Sequence, residues 1–314
     1  MTWNVQDLFL HGGRERRVEA VAAVIREVDP DVLCVQEIRG YGPQHSLRQL
    51  ADAAGMDCRA VPGDYRWSDD GDITEDVVAI ATGDADFHLG LMWRPGITPV
   101  RGSWRQIGRA EGGLWHAAGT VSLQVGGPVP LTVVTCHLDP FRPEVRFSEA
   151  ARIASLAVAK TALVAGDFNG LSSDRRADGS FYDPDPLSER GWYPEAVFQV
   201  EWDDDPDALA RTSRRAAERL RRAGLVDAAC ALDAPWQSTS GHWDGDPHGP
   251  RRVDRILLTE RACPALVGYR VVDSDTARSL SDFSEQERPR LSIDPKTLSD
   301  HLPVVVGLDE TKLR

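Results

Sequence analysis

The chain carries a series of short apolar runs, and the same few kinds of polar residue stand at their ends. Glu37 closes the run Val32–Val35 after Gln36, His137 closes Leu131–Cys136, and Asp167 and Asn169 close Ala162–Ala165 through Gly166. Asn4 follows the first residues of an amino-terminal strand-like segment. Two more sets stand at the opening of a run: Asp254 before Arg255–Leu258, and Asp300-His301 before Leu302–Val306. Runs of this length, rich in β-branched residues and bounded by turn residues, read as strands. In an antiparallel sheet, the exits of outgoing strands and the entries of returning ones share one edge. The pattern therefore brings carboxylates, two carboxamides and two imidazoles to a single rim, a set that does not belong in a core.

The remaining runs predict strands at Asp31–Ile38, Val77–Ala81, Leu89–Trp93, Gly119–Val125, Leu131–His137, Thr161–Ala165, Val253–Thr259 and Leu302–Leu308. Apolar residues at helical spacing predict amphipathic helices over Arg14–Val28 and Glu144–Lys160, each leading straight into a strand, as a helix layer packed on a sheet would. A third helix is predicted over Asp207–Ala223, with Leu209, Ala216 and Leu220 opposite Arg211, Arg215, Arg219 and Arg222. Long loops at Gly63–Glu75, Leu171–Asp205 and Asp273–Leu298 read as insertions. No internal repeat and no linker composition interrupts the chain, which predicts one domain over residues 1–314.

Charge and cysteine usage narrow the function. A net charge of −13 argues against a protein that coats nucleic acid by bulk electrostatics, though a locally positive cleft or a bound metal escapes that count. No apolar stretch approaches the roughly 18 residues a spanning helix needs, so no membrane insertion is expected. The amino terminus shows no basic and apolar leader pattern, which predicts the cytoplasm. The five cysteines form no C-x-x-C pair, and Cys34 and Cys136 sit inside apolar runs as small hydrophobes.

A rim of hard oxygen donors suits Mg²⁺, with Mn²⁺ as its substitute, better than zinc. Such a rim also matches what cleavage of a phosphate ester needs: a cation on the phosphate oxygens, a positioned water, and donors around the transition state.

The residues carry a resemblance as well. Thr2-Trp3-Asn4-Val5, Gln36-Glu37-Ile38-Arg39, Cys136-His137-Leu138, Gly166-Asp167-Phe168-Asn169, Arg252-Val253-Asp254-Arg255-Ile256 and Ser299-Asp300-His301-Leu302-Pro303-Val304 resemble, in order, the signature blocks of the endonuclease/exonuclease/phosphatase superfamily. The resemblance spans residues 2 to 304. It implies a deoxyribonuclease I-like, four-layer α/β/β/α sandwich of two mainly antiparallel sheets. It implies that Asn4, Glu37 and Asp300 surround a metal, that Asp167 and Asn169 position the attacking water, and that His137 donates to the scissile phosphate. Asp254 would orient His301, and either Asp167 or His301 would act as the general base.

Departures shape the substrate reading. Gln6 stands where abasic-site endonucleases carry an acidic residue, and Asn169-Gly170-Leu171-Ser172 replaces their continuation of the block, which disfavours abasic-site repair. Arg39 matches an arginine that deoxyribonuclease-like members place near a phosphate and tilts the reading toward a nuclease acting on DNA or RNA. A small-molecule or lipid-headgroup phosphoesterase is the alternative within the enzyme class, and a non-catalytic binding module the alternative outside it.

Other features take plainer readings. The arginine face could track a phosphate backbone, but it reads first as a solvated helix face beside Asp203–Asp205. His242, Asp244, Asp246 and His248 mimic a metal cluster but lie in a Gly/Pro-rich loop, and Trp67 and Trp243 are weak candidates for ring stacking. His88 and Trp93 receive no role, and Ser281-Asp282-Phe283 reads as part of an insertion.

Overall fold

Alternation along the strands sorts the apolar residues onto two faces, and that sorting builds the layers. In the computed structural model, which describes residues 1–10, 14–40, 42–61, 76–83, 86–108, 113–202, 211–273 and 291–314, one sheet runs β16 (Leu266–Val271), β17 (Val304–Leu308), β1 (Thr2–Leu8), β2 (Val32–Ile38), β6 (His88–Trp93), β5 (Ile80–Ala81). The second runs β14 (Leu225–Asp227), β15 (Asp254–Thr259), β11 (Ala162–Asp167), β10 (Leu131–His137), β9 (Ala117–Gln124), β7 (Thr98–Pro99), with β8 (Arg105–Ile107) also on β9. Two short pairs lie outside these sheets: β3 (Arg59–Ala60) with β4 (Val77–Val78), and β12 (Val200–Glu201) with β13 (Arg211–Thr212).

Each sheet has a parallel pair at its centre and antiparallel pairs around it. The parallel pairs are β1–β2 and β10–β11, crossed over by helices α1 (Arg14–Val28) and α3 (Pro143–Ala157). Helix α2 (Pro43–Ala54) joins α1 on the first sheet, and α5 (Arg215–Arg222) joins α3 on the second; α4 (Pro186–Arg190) and α6 (Ala228–Ala231) are single turns. Leu33 and Val35 pack outward against Ile25, Leu47 and Leu50. Cys34, Leu91, Val133, Leu163 and Ile256 meet between the sheets. Val134, Val164 and Leu257 pack outward against Ile153, Ala157 and Leu220. These three apolar layers separate helix, sheet, sheet and helix, which is the four-layer α/β/β/α sandwich.

The differences from the sequence expectation have local causes. The run Val77–Ala81 divides between two sheets, because Val77–Val78 pairs with Arg59–Ala60 and Ile80–Ala81 pairs with β6. Among its described residues the predicted helix Asp207–Ala223 is shorter: Arg211–Thr212 is a strand and Arg215–Arg222 is the helical part. There the hydroxyl of Thr212 donates to Asp185 and that of Ser213 to Glu201, and such side-chain bonds draw a backbone out of a helix. Helix α2 and strands β14 and β16 go unanticipated. The loop Gly63–Glu75, most of Asp273–Leu298, Trp67 and Ser281-Asp282-Phe283 lie outside the described residues.

Candidate active site

Register places the central residues side by side. His137 pairs with Asp167 across β10–β11, and Asp167 pairs with Asp254 across β11–β15. The approach is close enough that a Cβ at Gly166 would lie 1.8 Å from the Cys136 carbonyl oxygen, so only glycine fits there. In the other sheet Asn4 is opposite Gln36, after which β1 takes four residues to reach Leu8 while β2 takes two to reach Ile38. That bulge holds Gln6, Asp7 and Glu37 at φ of 42°, 51° and 64°. Left-handed backbone at non-glycine residues is costly and concentrates at working sites. The bulge turns Glu37 toward the facing sheet, where Asn4 Nδ2 donates to both Glu37 Oε1 (2.9 Å) and Asp167 Oδ2 (3.2 Å).

Asp167 is the hub of the site. Its Oδ1 accepts from the Asn169 amide (2.8 Å), and its Oδ2 lies 3.4 Å from His137 Nε2 and 3.8 Å from His301 Nε2. Asn169, in left-handed backbone, donates its side-chain amide to the Leu138 carbonyl at 2.9 Å, which fixes its orientation. Beyond His301 lies Asp254, with Oδ2 at 2.7 Å from Nδ1. Ser299 ties the returning strand to the first, because its hydroxyl donates to the Asn4 carbonyl and accepts from the His301 amide.

The charges follow from this packing. Burial pulls the His301 imidazolium down, but Asp254 and then Asp167 outweigh it and hold its pKa well above the ordinary value. Burial likewise opposes the charge on His137, and Asp167 reverses the balance, so its pKa is raised. Burial acts upward on Asp167, yet His301 and His137 together hold it below the usual carboxylate range. Burial raises Asp254 despite His301, but we place the shared proton on the imidazole because two carboxylates face that ring. Burial raises Glu37 as well, and the charge of Asp300 adds to the rise.

The expected residues thus come together with two qualifications. Asp300 makes no hydrogen bond among the described residues, although its charge acts on Glu37, His301 and Arg17. Arg39 stands one step away, 3.4 Å from Asp7 and stacked 3.6 Å over the Phe87 ring. Phe87 in turn meets His116 edge-on, and His116 stacks on His137 with ring centres 3.9 Å apart. His242 and Trp243 are held by the Ser299 and Lys296 carbonyls, and His248 by Tyr193, so the loop residues His242, Asp244, Asp246 and His248 form no metal cluster among the described residues.

Two contributors escaped the sequence reading. His116 is buried, with its pKa pushed down to about 2 by burial and by His137, so it presents a neutral ring to that imidazole. Arg17 donates to the carbonyls of Val5, Gln6 and Leu298, clamping the bulge beside Asn4 to the segment before Asp300. Neither has a sequence signal: His116 follows a tryptophan near a loop, and Arg17 is one of several arginines opening a helix.

Comparison with known proteins gives the family and the fold. The sequence profile described as the Endonuclease/Exonuclease/phosphatase family matches residues 1–301. The chain belongs to that family. Among solved structures, a family protein from Bacteroides thetaiotaomicron superposes with a TM-score of 0.55 at 16% identity, covering 98% of this chain and 95% of that one. An endonuclease/exonuclease/phosphatase from Beutenbergia cavernae gives 0.54 at 17%, covering 98% and 70%. Humanized D. rerio TDP2 gives 0.53 at 16%, covering 98% and 97%. These likenesses establish the fold. No curated protein matches the sequence.

Family members are phosphoesterases that generally work with a divalent metal, and the residues here fit one. Glu37, Asp300 and Asp167 bring negative charge together, and Asp300 has no hydrogen-bond partner among the described residues. The donors are oxygen, the preference of Mg²⁺ and Mn²⁺. Asp167, Asp254 and His301 also fall within 4.8 Å of one another, but there His301 already bridges the two carboxylates.

Proposed function

We propose that this family member is a Mg²⁺-dependent phosphodiesterase of nuclease type, acting as one domain over residues 1–314, with Mn²⁺ as substitute. What supports the reading most directly is Asp167, ionised and facing two imidazoles that burial alone would leave neutral. Asn4, Glu37 and Asp300 would hold the metal, which supplies positive charge to the phosphate oxygens. Asp167 and the Asn169 side-chain carboxamide orient the water. His137 and His301 donate to phosphate oxygens, and Asp254 keeps His301 protonated.

The same arrangement assigns the base. A protonated His301 cannot accept the water's proton, so Asp167 takes it. Its basicity is low while two imidazoles lean on it. An incoming phosphate competes for their protons and weakens that hold, raising the basicity of Asp167 as attack begins. Arg39, anchored by Phe87 and Asp7, would contact a substrate phosphate.

The test is hydrolysis with Mg²⁺ or Mn²⁺ of single- and double-stranded DNA, RNA, bis-p-nitrophenyl phosphate, p-nitrophenyl phosphate and inositol phosphates, with Asp300→Ala as control. Metal-dependent polymer cleavage absent from the control supports the proposal. Turnover of small esters alone would make the protein a metabolite phosphoesterase, in keeping with its charge of −13. No turnover on any substrate would overturn the enzymatic reading.

A further inference from the structure

A cavity of about 1080 Å³ opens on the outer helix layer of the second sheet, where α3, α5 and the β12–β13 pair meet. Seven of its fifteen lining residues are arginine, in a chain whose net charge is −13. A concentration of cations against the overall balance calls for a physical account.

The four carboxylates in the wall offset these cations only in part, the charge of Asp185 acting on Arg214 and that of Asp174 on Arg221. Glu218 takes only Arg221 and Arg222. Asp185 is occupied by the Thr212 hydroxyl and the Leu187 amide, and Glu201 accepts from the Ser213 hydroxyl. Asp174 turns inward, within 4.8 Å of Asp227 and Cys230. Arg211 and Arg215 are exposed and have no carboxylate partner among the described residues.

The aromatic residues show what the cavity reads. Phe181 carries Arg175 at 3.9 Å and Arg214 at 4.0 Å, and Phe147 carries Arg219 at 3.5 Å and Arg215 at 4.5 Å. Each ring is engaged by two guanidiniums, so it orders cations and is not left free to stack a base. Ordered guanidiniums match phosphate oxygens in shape and charge. The ligand is then recognised by its phosphates and not by its bases.

Position adds the last element. Ser173 lines the cavity and lies four residues beyond Asn169, a span of at most about 14 Å. A strand that leaves the rim over that distance reaches the cavity within a few phosphates. We propose that this cleft binds the phosphodiester backbone of a single nucleic-acid strand. The inference rests on the phosphoesterase reading only in that the strand continues toward the catalytic rim.

Binding tests it without turnover. A fluorescein-labelled, phosphorothioate-linked thymidine 12-mer is titrated with the Mg²⁺-loaded protein, read by anisotropy across a salt series. The Arg211→Ala/Arg215→Ala variant is expected to bind about tenfold more weakly, with a salt slope flatter by about 1.4 for two lost phosphate contacts. The corresponding double lysine variant should retain most of the affinity, and thermal melting checks that both fold. Wild-type affinity and slope in the alanine variant would overturn the proposal. So would a 12-mer that fails to bind while inorganic tripolyphosphate protects the protein through the same arginines. A protein that binds the 12-mer through these arginines yet hydrolyses nothing would sink the catalytic reading alone.

Discussion

His301 stands between two carboxylates, with Nδ1 2.7 Å from Asp254 Oδ2 and Nε2 3.8 Å from Asp167 Oδ2. One contact is short and fixes the ring. The other is long enough for the second nitrogen to exchange its partner for a phosphate oxygen. The protonated imidazole is therefore held by one carboxylate and available to substrate beside the other.

Asp254→Asn isolates that hold. The carboxamide keeps the shape but removes the charge that keeps His301 protonated. Turnover of bis-p-nitrophenyl phosphate should fall about 10²-fold or more. The alkaline limb of its pH–rate profile should move to lower pH. A profile that keeps its wild-type alkaline limb would show that Asp254 does not set the state of His301.

Two buried histidines should pull stability in opposite directions with pH. The folded-state pKa of His301 is raised, so its contribution is complete below the unfolded value of about 6.5 and is lost as pH climbs through the higher folded value. His116 is the reverse case. Its folded pKa is pushed down to about 2, so protonation is disfavoured in the folded state and stability is lost as pH falls below about 6.5. His116→Phe keeps a ring against His137 without ionisable nitrogens and should flatten the loss between pH 6.5 and 4. Urea titrations across pH would expose either slope, and an unchanged acid slope in His116→Phe would remove His116 from the account.

The sequence carried the site further than it carried the frame around it. The polar residues at strand ends are legible because a strand exit is a local event, visible in the change from Val133-Val134 to His137. Their convergence is legible because antiparallel return puts Asp254 beside Asp167. What is not legible depends on pairs distant in the chain. The stack of His116 on His137 needs β9 and β10 in register, and the clamp of Arg17 on Leu298 joins opposite ends of the sequence. The arginine face is legible only in part, for a related reason. Its arginines are solvated, as Arg211, Arg215 and Arg222 show by their exposure. Periodicity showed a polar face, but only the packing of Phe147 and Phe181 shows that the face lines a cavity.

Metal binding should be measurable as stability. Glu37 has its pKa raised by burial and further by Asp300, so a divalent cation relieves a cost already present in the fold. Mg²⁺ at a hundred times its dissociation constant should add about 2.7 kcal/mol. Glu37→Gln and Asp300→Asn should each lose most of that gain, and chelation should abolish turnover reversibly. Equal stabilisation of both variants by Mg²⁺ would place the ion elsewhere.

Arg252 offers a test of how the site is held from behind. Its guanidinium is fully buried and bonds Asp183 at 2.8 and 3.2 Å and Asp227 at 3.0 to 3.1 Å. Asp183 belongs to the insertion after Asn169, and Asp227 ends β14, so one side chain fastens both to the strand entry where Asp254 begins. Arg252→Met keeps much of the volume but leaves two buried carboxylates without their cation. Breaking such a pair from one side costs about 3–5 kcal/mol, far more than an exposed ion pair would. Denaturant unfolding should show that loss. Because Asp254 follows two residues later, turnover should fall even under conditions where the variant remains folded. A variant that is destabilised but keeps full turnover when folded would mean the triad supports the fold without positioning Asp254.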